Sequence, residues 1–248
     1  MRLPSMVSKA LQAACRKHPP SDGGNREWTS FMKWLGYANA GMLTHGNLFA
    51  WRYAVRNLPS SSPIVEIGSF CGMSTNFIAY FLRESGRKNA FFTCDKWVFE
   101  GEGGGPEDRL AQGCDISVSE YRKFVRDSFV RGVEFFSSDN KPFAIEEFSD
   151  GFFELWRTNS TAREVFGREV KLGGPISFCF IDGNHSYEYA KRDFENCHQF
   201  LEPGGFVLLD DSGDFLDWAP NRVAKEALRR GGYRLVSRNP NYLLQRTR

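Results

Sequence analysis

The sequence has no apolar run that approaches the ~18 to 20 residues needed to cross a bilayer, so no membrane-spanning segment is expected. It also has no excess of charge. The 32 basic and 30 acidic residues leave a formal net charge of +2, and no basic field marks the chain as a nucleic-acid binder. Basic residues cluster at 222–230 and at Arg246 and Arg248, positions read as solvated faces. None of the six cysteines, Cys15, Cys71, Cys94, Cys114, Cys179 and Cys197, forms a CxxC pair, which removes the common zinc and dithiol motifs. Several sit in apolar, strand-like runs where a reduced thiol behaves as a small hydrophobe, so the expected compartment is reducing and cytoplasmic. No linker-like stretch and no fixed-period repeat divides the 248 residues. One large domain with a substantial core is expected.

What is present is alternation. Residues 1–62 read as a helical N-terminal region, in which "LFAWRYAVRNL" sets Leu48, Trp51, Tyr53, Val55 and Leu58 near helical spacing before Pro59. From Pro63 onward short apolar runs ("PIVEIG", "AFFTCD", "VEFFS", "ISFCFID", "GFVLLDD") alternate with helix-like segments ("STNFIAYFLRESG", "SYEYAKRDFENCHQFL", "RVAKEALRRGG"). This pattern predicts an α/β domain over 63–248, a doubly wound and mainly parallel sheet. "YRLVS" and "YLLQ" around "RNPN" predict an antiparallel C-terminal hairpin at its edge. Two segments break the alternation and read as insertions near 96–131, with a glycine run at 103–105, and near 140–174, taken as mostly helical. Insertions beyond the strand ends are natural substrate walls.

The loop after the first strand, "GSFCG", has a GxxxG spacing at Gly68 and Gly72, and the dinucleotide fingerprint GxGxxG is absent. Such glycines let a ligand approach the backbone, and they also serve plain helix–strand packing. Glu66, two residues before the loop, is hostile to a pyrophosphate and suits a ligand carrying a cation and hydroxyls. Asp95 ends the next strand, where a carboxylate can accept from a ribose diol.

Taken together and in order, "VEIGSFCGMST", Asp95, "FIDGNHSYEYAKRDF" and "LEPGGFVLLDD" resemble the class I S-adenosylmethionine-dependent methyltransferases. The resemblance is closer to the group of metal-dependent small-molecule and glycoside O-methyltransferases, and it covers roughly residues 64–211 with gaps at both insertions. It implies a Rossmann-like fold. It further implies that Glu66, Gly68, Ser69, Gly72 and Ser74 surround the methionine part of S-adenosylmethionine, that Asp95 holds the ribose, and that Ser138 and Asp139, after "VEFF", meet the adenine. Trp97 reads equally as a flank of the cofactor and as core.

A second group of residues carries its own reading. Asp182 ends one predicted strand and Asp210 and Asp211 end the next, so neighbouring parallel strands bring three carboxylates to one edge. Unpaired acids at that distance repel, which suggests a cation between them, and all-oxygen ligation favours Mg²⁺. A divalent ion lowers the pKa of a chelated hydroxyl and fixes its direction. His185, three residues after Asp182, is a candidate general base, with Asp182 as its catalytic partner. The competing readings are turn and cap roles for the aspartates and a helix-cap role for His185. Members of the resembled group carry an acid two residues past the first one, where this chain has Asn184, so the identity of the base stays open. Asp214 and Asp217 read as surface residues, and His45 as a further candidate for lining the pocket.

The expected activity is O-methylation of a small polyol, sugar or glycosylated natural product. A catechol acceptor is an alternative under the same chelation logic. A nucleotide-sugar glycosyltransferase is a weaker one, because Glu66 opposes phosphate. The helical N-terminal region is expected to act either as a cap over the site or as a surface for homo-oligomer formation.

Overall fold

The computed structural model describes residues 29–98, 108–216 and 218–248. Cys15, the glycines at 103–105 and Asp217 lie outside the described residues. The main sheet is made of β1 (Ile64–Ile67), β2 (Phe91–Cys94), β3 (Phe143–Ile145), β6 (Ile176–Ile181), β7 (Leu201–Leu209), β8 (Tyr233–Arg238) and β9 (Tyr242–Arg246). Its order is β3-β2-β1-β6-β7-β9-β8. Every pairing from β3 to β7 is parallel, and β9 runs antiparallel to both β7 and β8. A separate ribbon joins β4 (Thr161–Arg163) to β5 (Glu169–Lys171). The chain order reverses between β1 and β6, the topological switch beside which open α/β sheets bind ligands.

Why these strands form is visible in their burial. Every residue of β1, β2 and β6 is buried, as near-continuous apolar runs covered on both faces must be. Alternate residues serve opposite layers. Ile64, Phe178, Phe180, Phe206 and Leu208 pack against Trp51 and Val55 of α2 (His45–Arg56) and Phe77 and Phe81 of α3 (Met73–Glu84), with Leu35 of α1 (Ser30–Ala38). Val65, Ile67, Cys179, Ile181 and Val207 face the other way. There they meet Phe152 and Trp156 of α5 (Ser149–Arg157), Phe194 of α6 (Tyr187–Phe200) and Val223 of α7 (Ala219–Arg230).

One predicted strand is a helix. "VEFFS" belongs to the last turn of α4 (Val118–Phe136), which opens on a Ser117/Glu120 capping box. Val118, Val125, Phe129 and Val133 recur at helical spacing as its buried stripe, while Phe135 is 79% exposed. The third strand of the sheet is instead "FAI" at Phe143–Ile145, so the segment 140–174 contributes a strand, α5 and the β4–β5 ribbon rather than being mostly helical.

Candidate active site

At the carboxyl ends of the parallel strands lies a cavity of about 1500 Å³. One wall is the glycine loop. Gly68 and Gly72 have φ of +80° and +87°, and a Cβ on Gly68 would lie 2.0 Å from the Asp182 carbonyl oxygen, so only glycine lets β1 and β6 end side by side. Asp95 clamps the loop: its Oδ2 accepts from the amides of Ser69 (2.9 Å) and Phe70 (2.8 Å), and its Oδ1 from the amide of Trp97 (2.6 Å). Burial raises the Asp95 pKa, and the three amides oppose that rise. The carboxylate lines the cavity and keeps acceptor capacity for a ligand hydroxyl. Trp97 is core: it is buried against Phe129, and its indole donates to the Phe70 carbonyl (2.9 Å).

Glu66 stands behind the loop. It is fully buried, is not among the residues lining the cavity, and accepts from the Thr75 hydroxyl at 2.6 Å. Burial, the dominant effect, raises its pKa to about 7, while the hydroxyls of Ser74, Thr75 and Thr93 lower it. It ties the end of β1 to the first turn of α3. Ser69 and Ser74 do line the cavity, and Gly72 does not.

Ser138 and Asp139 are not at this edge. They follow α4 and precede β3, and Asp139 pairs with Arg83 in the last turn of α3 (2.9 Å). The residues that follow β3 and line the cavity are Glu147, Phe148, Ser149 and Asp150. The signal for them was "PFAIEE", a short run opened by Pro142, where proline is tolerated at the start of an edge strand.

The opposite wall carries the acids. Donor atoms of Asp182, His185 and Asp211 all lie within 4.8 Å of one another. His185 Nε2 is 3.1 Å from Asp211 Oδ2 and 3.8 Å from Asp182 Oδ1. The neighbouring carboxylates of Asp182 and Asp211 push the imidazole pKa up to about 10. Burial pushes Asp182 up to about 6. Asp211 adopts a left-handed φ of 48°, rare for a non-glycine residue. Asp210 is not part of this cluster. Its Oδ1 accepts from Asn47 Nδ2 (2.7 Å) and from Asn241 Nδ2, and the three side chains form a buried knot that ties α2 and the β8–β9 turn to the end of β7. Asn184 Oδ1 accepts from the Ser186 amide (2.9 Å), a turn ahead of α6.

The structure therefore brings Gly68, Ser69, Ser74, Asp95, Asp182 and His185 to one cavity, leaves Glu66, Gly72, Asp210, Ser138 and Asp139 outside its lining, and sets Asp211 just behind it, against His185. Two carboxylates and an imidazole at this separation fit a divalent cation.

The profile of the family described as "Methyltransferase domain" matches residues 65–212. Among solved structures, an O-methyltransferase from Bacillus cereus in complex with S-adenosylhomocysteine aligns with a TM-score of 0.54 at 13% identity, over 97% of each chain. An S-adenosylhomocysteine-bound methyltransferase of Podospora anserina aligns with a TM-score of 0.57 at 12% identity, over 100% of this chain and 98% of that one. The TDP-rhamnose 3'-O-methyltransferase of calicheamicin biosynthesis aligns at 0.54 and 14%, over 99% and 96%. An uncharacterised protein of Acanthamoeba polyphaga mimivirus is 35% identical over 49 residues, 20% of this chain, and the chain spans only about a fifth (22%) of that relative's length. By the profile match and the strand order, the chain belongs to the methyltransferase domain family and has the class I methyltransferase fold.

Proposed function

We propose that the protein transfers the methyl group of S-adenosylmethionine to a hydroxyl of a small polyol, sugar or glycosylated natural product. The observation that carries this reading is a single cavity lined at once by the glycine loop, by Asp95 and by Asp182 and His185. The loop and Asp95 hold the nucleoside and its methionine arm. Asp182 and His185 stand at the acceptor end, where a hydroxyl placed in line with the sulfonium methyl needs a proton acceptor. That proton goes to the Asp182 carboxylate, beside which the imidazole of His185 is held by its contact with Asp211. Asn184 is a neutral amide engaged in its turn, so it is no substitute. A divalent cation held by Asp182, His185 and Asp211 would displace the imidazole proton and balance the two carboxylates. Bound there, such an ion would make a nearby hydroxyl more acidic. The relative that acts on TDP-rhamnose supports a sugar-type acceptor.

The test is calorimetric titration with S-adenosylhomocysteine, with and without Mg²⁺ or Mn²⁺, on wild type and Asp95→Ala. Binding on the order of micromolar, weakened about tenfold or more by the substitution, is expected. Absence of binding under every condition overturns the reading. A screen of diol-bearing sugars against simple catechols then identifies the acceptor.

A further inference from the structure

A second cavity of about 450 Å³ adjoins the first, with Gly41, Leu43 and Met73 lining both. Its remaining wall includes Lys33 and Tyr37 of α1 and His45, the first residue of α2. The annex is open to solvent, with Lys33, Tyr37, Gly41 and His45 exposed, but its floor is fixed to the site. Asn39 is buried, donates to the Cys71 carbonyl (2.8 Å) and accepts from Asn76 Nδ2 (2.6 Å), which fixes the start of the α1–α2 connection on the glycine loop and α3. A Cβ on Gly41 would lie 2.5 Å from Met73 Cβ, so the connection is pressed against the first residue of α3. Two residues after His45, Asn47 reaches Asp210 at the end of β7. The annex therefore joins the main cavity at the α1–α2 connection and the first residue of α3.

Its charge is the reverse of its neighbour's. Six carboxylates and three Lys or Arg side chains line the main cavity, which suits a cationic cofactor. No acid lines the annex, and Lys33 has no ion pair among the described residues. The N-cap of α2, Thr44, makes no side-chain hydrogen bond, so the positive end of a twelve-residue helix adds to the ammonium of Lys33. An ammonium, an imidazole, a phenol and a helix start beside two apolar side chains form a receptor for an oxyanion attached to a less polar ring.

We propose that the annex is the anion subsite of the methyl acceptor, and that the acceptor is a hydroxylated molecule of sugar or polyol type bearing a phosphate or carboxylate held by Lys33 and His45. This rests on the O-methyltransferase reading. It also makes Lys33 a specificity-determining residue.

The chain has four histidines, so the His45 ring resonances can be assigned by NMR with a His45→Gln variant. Protein saturated with S-adenosylhomocysteine is titrated with inorganic phosphate and, separately, with acetate. One of these anions is expected to shift the His45 resonances saturably. Lys33→Glu is expected to weaken that binding about tenfold or more and Lys33→Arg to retain it, with the S-adenosylhomocysteine affinity changed by less than about twofold in both. Tighter phosphate binding assigns a phosphorylated acceptor, and tighter acetate binding a carboxylated one. Unmoved His45 resonances with both anions, or full binding by Lys33→Glu, overturn the proposal. Failure of the wild type to bind S-adenosylhomocysteine would instead strike the methyltransferase reading, so the two failures are told apart.

Discussion

Glu66 shows what burying one carboxyl group does to the fold. Its folded pKa of about 7 lies above the ordinary 4.5, so between those values the folded state binds the proton that the unfolded chain has released. Stability is therefore greatest below about pH 4.5 and falls as pH rises toward 7, by up to about 3 kcal/mol for this group alone. Urea unfolding of wild type and Glu66→Gln at about pH 5 and about pH 8 measures it. The variant is expected to gain on the wild type at the higher pH, and a parallel pH dependence in both would refute the account. Gly68 offers a second contrast. Gly68→Ala combines an unfavourable φ with a 2.0 Å clash on backbone and should cost at least about 2 kcal/mol, together with loss of cofactor binding. Gly86→Ala meets nothing within 4 Å and should cost only the strain of its φ of +66°, about 1 kcal/mol.

Between elements, the two neighbouring aspartates after β7 divide the work. The chain turns after β7: Asp210 enters the knot with Asn47 and Asn241, while the left-handed φ of 48° at Asp211 brings its carboxylate to His185. Asp210→Ala strands two buried amides and should lower stability by about 2 to 4 kcal/mol. Asp211→Asn should leave stability nearly unchanged and weaken Mn²⁺ binding about tenfold or more. If instead Asp210→Ala is the variant that loses metal with its stability intact, the assignment is reversed. This division was not legible in "LLDDSG", because a run of like residues does not say which member faces which side. The other strand ends were legible, since the glycine loop, Asp95 and Asp182 each follow a long apolar run with its own motif. β3 was hidden for a different reason. It has three residues, and the last turn of α4 placed "VEFF" in front of it as a better apolar run. Its position then carried the adenine expectation to the wrong edge, onto Ser138 and Asp139.

For the molecule as a whole, ligand binding and folding are linked. A cofactor product held by the native cavity alone should stabilise the protein by about 2.7 kcal/mol at a hundredfold excess over its Kd, raising Tm by about 5 to 10 °C. An unchanged melting curve with S-adenosylhomocysteine would count against the cavity as its site. The alternation along the strands has a further consequence for the whole fold. Because Ile64 and Val65, or Phe178 and Cys179, belong to separate cores, damage on one side of the sheet is insulated from the other. Phe81→Leu on one face and Phe194→Leu on the other, at about 1 to 2 kcal/mol each, should therefore sum with almost no coupling. A substitution in the layer holding α1 and α2 is thus felt on that face alone, while the opposite core keeps the sheet standing.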